Sequence, residues 1–261
     1  MRERAYIYDC LLKIQAELSF HLEKPLFQSK LWKEANNIVD YGCGNAWYTK
    51  MLADDFPKKS FLGVEIDKSM AEIASQRYHH FDNISIIEGD YNNISSDYKF
   101  DFMLLRHVVS YLNDRNDFYL WVQNHANSTG GILVIDADDE YFYISPELPL
   151  FLEGIRSFQK KVNEKGQRDV RKDVRDELPK FGFKHINSQR IVVNSELQNL
   201  KERIYVYMCL VAELDVGSPL PRDLAEELFS WVLNPESYVQ YGFFCSLFAR
   251  NYDGYAYEKV L

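Results

Sequence analysis

Ile38-Val39-Asp40-Tyr41 is an apolar run rich in β-branched residues that halts at Gly42-Cys43-Gly44, after which Tyr48, Met51 and Leu52 take up helical spacing. A strand, a glycine turn and a helix in that order make a ligand-binding junction. The glycines let the backbone bend sharply and approach a ligand with no Cβ in the way. The helix then aims its free N–H groups at the same point. A dinucleotide-binding turn calls for G-x-G-x-x-G or A. Here the third place is Trp47, whose ring opposes close helix–strand packing around a pyrophosphate. The junction therefore predicts a ligand without phosphate.

The same rhythm repeats along the chain. Phe61 to Glu65 reads as a second strand, and Ser69 opens a helix to about His79. Ile84 to Ile87, Phe102 to Leu105 and Gly131 to Ile135 read as further strands, with a helix over 117–126. These strands are apolar throughout, as a parallel sheet covered on both faces requires. Right-handed crossovers leave few topologies for them. After Asp136 the spacing predicts helices from Pro146 to about Lys165 and from Asp169 to Phe181, the second capped by Gly182. A strand over Phe183–Val193, helices over Glu196–Asp215 and Leu224–Val232, and an aromatic strand over Tyr241–Phe248 follow. At the N-terminus Ile7, Leu11, Ile14 and Leu18 mark an amphipathic helix, and Ser29 is placed to cap a second, short one. No internal repeat and no Gly/Ser/Pro linker divides the chain.

Composition narrows the function classes. The formal charge is 30 − 39 = −9, so a phosphate backbone is repelled and nucleic acid is disfavoured as a partner. No apolar stretch is long enough to cross a bilayer, and no signal-like run follows Met1. The four cysteines are scattered, which indicates neither a zinc site nor a disulfide framework, and the expected location is the cytoplasm. The 18 Tyr and 17 Phe serve core packing or an aromatic pocket for a flat or cationic ligand.

Two more turns carry candidate chemistry. Glu65 ends the second strand, where a carboxylate can accept both hydroxyls of a ribose. Asp67 competes for that role, and one of the two caps the next helix. Glu is a poor cap, so Asp67 or Ser69 caps and Glu65 binds. Past the third strand, Glu88-Gly89-Asp90-Tyr91 offers a carboxylate for an adenine amino group and a ring to stack near it; an ordinary Gly-Asp turn is the alternative. All three turns lie at C-terminal strand ends, where open α/β sheets bind ligands.

With those residues in place, the chain resembles the class I S-adenosylmethionine-dependent methyltransferases, in particular the small-molecule group, over about Asn37 to Ile135. Ile38-Val39-Asp40-Tyr41-Gly42-Cys43-Gly44 is similar to the family's nucleotide-binding turn. Gly63 to Met70 resembles its second motif, Gly89-Asp90 its third, and Phe100 to Val109 its fourth strand and exit loop. The resemblance implies a doubly wound, mostly parallel seven-stranded α/β sheet whose last strand runs antiparallel. It implies a helical lid over 1–36, a cofactor-binding core over 37–195, a helical insertion over 196–238 that shapes the acceptor pocket, and the last core strand over 239–261. The cofactor would be held by Asp40, Tyr41, Gly42, Cys43, Gly44, Glu65, Ile66, Met70, Gly89, Asp90, Tyr91 and Arg106. Ala46 stands where the family often has a third glycine, a substitution of little cost if that residue is helical.

The implied reaction moves a methyl group from S-adenosylmethionine to an O, N or C nucleophile of a small organic molecule and leaves S-adenosylhomocysteine. Tyr6, Tyr8 and Tyr111, with Tyr41, are candidates to line the sulfonium and acceptor region. His107, just past the fourth strand, suits a general base; a backbone contact to the cofactor or local packing is the alternative. Arg106 either orients an acidic substrate or pairs with a local carboxylate. Asp136, Asp138, Asp139 and Glu140 form a dense acidic run, read as a solvated loop or, with ligands from elsewhere, a site for Mg²⁺ or Ca²⁺. No metal is assigned. Adjacent His79 and His80 point in different directions on a helix and do not form one. The Lys/Arg-rich stretch from Arg156 to Lys184 is interleaved with Asp169, Asp173, Asp176 and Glu177, as on a solvated helix face. The expected partner is a small methyl acceptor, without membrane association, on a monomer or homodimer. Two rivals share the cofactor turn: a binding or regulatory protein without catalysis, and an enzyme using the same cofactor for other chemistry.

Overall fold

The computed structural model describes residues 3–112, 114–164 and 170–251. In chain order the helices are α1 (Arg4–Glu23), α2 (Lys30–Glu34), α3 (Trp47–Asp55), α4 (Lys68–Tyr78), α5 (Arg115–His125), α6 (Pro149–Glu164), α7 (Val170–Glu177), α8 (Gln198–Val216) and α9 (Arg222–Leu233). The strands are β1 (Asn37–Tyr41), β2 (Ser60–Glu65), β3 (Ile84–Glu88), β4 (Phe100–Arg106), β5 (Ala126–Ser145), β6 (Phe183–Asn194) and β7 (Tyr238–Arg250). They form one seven-stranded sheet in the order β3-β2-β1-β4-β5-β7-β6. β1 pairs in parallel with β2 and β4, β2 with β3, and β4 with β5. The order reverses between β1 and β4, the topological switch point where such sheets open a crevice beyond the strand ends.

Two interleaved compact units share these elements: a core unit of Leu22–Asp136, Asp169–Arg190 and Phe244–Leu261, and a helical unit of Met1–His21, Ala137–Arg168 and Ile191–Phe243. In the core unit Val39, Met103, Leu105, Val134, Phe118 and Val122 are buried together. Full burial of such side chains stabilises the fold by about 1.5–3 kcal/mol each. Trp32 packs its ring against Phe27, Phe56 and Phe102. Ser29 caps α2, its hydroxyl accepting from the Trp32 N–H at 3.2 Å. The buried Lys59 Nζ closes the other end of α2, donating to the carbonyls of Trp32 (2.7 Å) and Ala35.

In the helical unit Ile7 and Leu11 of α1 pack with Leu210 of α8. Arg203 pairs with Glu17 at 2.6 Å. Glu227 on α9 caps α6, its carboxylate accepting from the N–H groups of Leu150 (3.0 Å) and Phe151 (2.9 Å).

Three expectations are corrected or limited here. The acidic run 136–140 is not a loop: β5 continues to Ser145, with Asp136 and Asp138 buried and residues 137 and 139 exposed. Strand alternation, rather than charge, sets which of these side chains is covered. Among the described residues no three His, Cys, Asp or Glu side chains gather as a cation site. The charged stretch after Arg156 is partly tied down, since Arg115 pairs with Asp173 (2.8 Å) and Glu177 (3.4 Å). Asp169 lies outside the described residues, as do residues 252–261 at the end of the predicted last core segment. Gly182 does cap its helix, at φ +83°.

Candidate functional site

The glycine turn after β1 is pinned from beneath. The N–H groups of Gly42 and Cys43 both donate to the Val64 carbonyl, at 2.8 and 3.1 Å. Gly42 sits at φ +74°, and a Cβ there would lie 2.6 Å from Val108 Cγ2. Ala46 is not helical as a cheap replacement for glycine would be: it lies at φ +54° in the left-handed region. That conformation costs a non-glycine residue about 1–2 kcal/mol. Cys43 packs against β2 over Gly63, and burial, with Asp40 and Glu65 nearby, pushes its thiol well above the usual range. It is an inert core thiol. Asp40 is buried and accepts a hydrogen bond from the Thr49 hydroxyl. Burial pushes its carboxyl up to about 6 against the opposing pull of Thr49 and Arg106. The buried Tyr41 ring lies 4.6 Å from that of Phe118.

Glu65 links all three turns. Its Oε2 accepts from the Gly44 N–H at 2.7 Å, its Oε1 from the Asp67 N–H at 2.7 Å, and its backbone carbonyl from the Gly89 N–H at 2.8 Å. Burial raises its carboxyl above the ordinary value, and the backbone N–H groups of Asp67, Gly44 and Ile66 hold it partly back. With three backbone donors in place, the carboxylate still has acceptor capacity for a further donor. Asp67 is the cap of α4, accepting from the Met70 N–H at 3.0 Å, which leaves Glu65 available for a ligand. Met70 is buried, whereas the next residue after Glu65, Ile66, is 74% exposed.

In the third turn Asp90 accepts from the Asn92 N–H at 2.8 Å, and its own N–H donates to Asn93 Oδ1 at 3.0 Å. The Asp90 side chain thus serves the turn, as the ordinary-turn reading requires, in a capping box with Asn93, and Asn92 Nδ2 approaches its second oxygen at 3.4 Å. Gly89 has φ +133°. The Tyr91 ring packs near Phe118 and Trp121.

Beyond β4, Arg106 pairs with a local carboxylate, Glu23. His107 adopts φ +56°, its N–H donating to the Ile135 carbonyl at 2.7 Å. Its Nδ1 lies 3.7 Å from Asp136 Oδ1, and its Nε2 is buried. Tyr111 follows in a 3-10 turn of the core unit with its side chain exposed. Tyr6 and Tyr8 are exposed on α1, in the helical unit. The structure thus joins Asp40–Gly44, Glu65–Ile66 and Gly89–Tyr91 through backbone hydrogen bonds; Tyr6 and Tyr8 are outside that set. The sequence reading did not single out Glu23 or Tyr48. A glutamate ending an amphipathic helix reads as solvent-facing, and only the tertiary fold reveals it as buried.

A buried carboxylate with acceptor capacity left, beside an exposed aliphatic side chain and a turn at positive φ, can accept a hydroxyl and seat a flat apolar ring face.

A family profile described as a methyltransferase domain matches residues 33–201. A malonyl-[acyl-carrier protein] O-methyltransferase of Halalkalibacterium halodurans is 24% identical over 145 residues, covering 53% of this chain and 54% of that protein. A trans-aconitate 2-methyltransferase of Deinococcus radiodurans is 27% identical over 111 residues, covering 42% and 41%. The chain thus spans about half the length of the curated relatives it matches. Among solved structures, a cyclopropane synthase from Mycobacterium tuberculosis aligns with a TM-score of 0.55 at 14% identity, over 88% of this chain and 83% of that one. A phosphoethanolamine N-methyltransferase 2 of Haemonchus contortus, in complex with S-adenosyl-L-methionine, aligns with a TM-score of 0.53 at 14% identity, over 87% and 52%. At these identities the structural likeness is one of fold. No helix among the described residues is long and apolar enough to cross a membrane.

Proposed function

This chain belongs to the methyltransferase domain family, in its class I S-adenosylmethionine-dependent branch, and we propose that it transfers a methyl group from S-adenosylmethionine to an O, N or C nucleophile of a small organic molecule. The observation that carries this reading is Glu65, whose carboxylate and backbone carbonyl tie the three turns into one ligand cradle. Glu65 takes the ribose hydroxyls, Ile66 and Tyr91 flank the adenine, and Asp90 accepts from its amino group. Asp40 to Gly44 form the floor under the rest of the cofactor, with Met70 packed behind. When bound, the cofactor supplies a methyl group on a sulfonium with a neutral thioether as leaving group.

The chain contributes position. Holding nucleophile and methyl carbon in line is worth roughly 7–11 kcal/mol of barrier. The relatives named for malonyl and trans-aconitate acceptors make a carboxylate the first acceptor class to test. A carboxylate is ionised at neutral pH and needs no base. For an acceptor that must lose a proton, His107 is the assigned base. Its Nε2 is buried, so that role requires the 107–112 loop to move as the acceptor binds. Segments 1–36 and 196–238, with Tyr6, Tyr8 and Tyr111 as candidate lining, are assigned to acceptor choice. The proposed setting is cytoplasmic, on a monomer or homodimer, with nucleic acid not an acceptor.

Titration calorimetry with S-adenosylmethionine and S-adenosylhomocysteine tests the cradle. Glu65→Ala and Asp90→Ala should weaken both ligands; variants that bind them as well as the parent end the assignment. Turnover to S-adenosylhomocysteine with a panel of carboxylic acids then tests the transfer itself.

A further inference from the structure

Glu23 is fully buried, with 0% of its side chain exposed against 8% for Arg106. It accepts from Arg106 Nε and Nη2, both at 3.3 Å, and from the Tyr48 hydroxyl. The Arg106 guanidinium lies 4.4 Å from the Tyr48 ring centroid, a cation–π contact that completes a closed triad. Burial works against the charge on Arg106, and Glu23 with Tyr48 and Asp40 more than offsets it. Burial, reinforced by Glu23, likewise keeps the Tyr48 phenol protonated as a donor.

The location of the triad gives it meaning. Tyr48 is the second residue of α3, two positions after Ala46 and the glycine turn. Arg106 is the last residue of β4, immediately before His107 in its left-handed conformation. The triad therefore bolts together the exits of β1 and β4, the two strands that flank the switch point. Each exit holds residues at positive φ, Gly42, Gly44 and Ala46 on one side and His107 on the other, and on each side one non-glycine residue, Ala46 or His107, is held against its own backbone preference. Such turns keep a ligand-ready shape only where the surroundings over-determine them.

We propose that Glu23 is a positioning residue for the cofactor: without touching it, Glu23 fixes the glycine turn and the β4 exit relative to each other through Tyr48 and Arg106, and thereby sets affinity for S-adenosylmethionine. The inference rests on the cofactor reading of the same cradle. It also assigns Arg106 to this triad rather than to an acidic acceptor.

The test is calorimetry of the whole chain with S-adenosylhomocysteine, at a temperature well below unfolding. Glu23→Gln keeps shape and removes charge, and should weaken binding at least tenfold. Leu178→Ala, which truncates a buried core side chain outside these turns, is the stability control and should bind within about twofold of the parent. Equal binding by Glu23→Gln and the parent overturns the proposal, as does an equal loss in the Leu178→Ala control. If Glu23→Gln does not fold, Tyr48→Phe removes one bond of the triad and leaves the ion pair. It should weaken binding about threefold, and parent-like binding overturns the proposal. A parent that does not bind S-adenosylhomocysteine refutes the cofactor reading itself, and the positioning role falls with it. A parent that binds beside an unaltered Glu23→Gln refutes the positioning role alone.

Discussion

Asp40 makes stability depend on pH in a direction opposite to most carboxylates. Its carboxyl rises from 3.8 to about 6 on folding, chiefly through burial, and Thr49 and Arg106 only partly oppose the rise. The native chain therefore holds this proton more tightly than the unfolded chain. Where the native state binds the extra proton, stability falls as pH rises. The contribution is full below about 3.8 and is lost as pH climbs through about 6. Its size is the shift of roughly two units at 1.36 kcal/mol each, or about 3 kcal/mol. Close to half of that falls between pH 5 and pH 8 by the same linkage relation. Asp40→Asn has no proton to lose. Urea unfolding of cofactor-free parent and variant across pH 5–8 should show the variant gaining on the order of 1 kcal/mol relative to the parent as pH rises. Any constant cost of placing an amide beside Thr49 cancels in that slope. A parent–variant difference that stays flat within about 0.3 kcal/mol across the range refutes the argument that Asp40 holds its proton by burial.

Ala46→Gly should raise stability by up to about 1 kcal/mol, the left-handed strain relieved less the entropy that glycine adds to the unfolded chain; a lower melting temperature contradicts it. Gly63→Ala places a Cβ 2.8 Å from both Cys43 Sγ and Ile86 Cδ1. It should cost about 1–3 kcal/mol by denaturant unfolding, and an unchanged midpoint would show that the turn yields freely. Glu65→Ala removes two charge-assisted acceptors of about 1.5 kcal/mol each and should weaken S-adenosylhomocysteine roughly 100-fold in calorimetry. Glu227→Ala strips the cap from α6 and should lower stability by about 0.5–2 kcal/mol, with no change in cofactor affinity.

The first five strands were legible because a parallel sheet buried on both faces writes each strand as a short apolar run, and the crossover helices reset the period from two to 3.6. That Asp67 rather than Glu65 caps the next helix was also legible, because capping preference separates the two carboxylates by chemistry alone. The acidic run after Ile135 was misread. Its side chains look solvated, but neighbouring strands extend β5 through it, and pairing overrides composition. The left-handed conformation of Ala46 was not legible, because nothing local distinguishes a left-handed alanine from the first residue of α3. The Glu23 triad joins residues 25 and 83 positions apart, and no periodicity encodes a contact at that range.

β5, β6 and β7 each pass from one compact unit into the other partway along their length. Neither unit can be expressed as a contiguous fragment, and no single cut-and-paste can transplant the helical unit onto another core. Moving the helical unit would take three separate segment exchanges, with joins inside β5, β6 and β7.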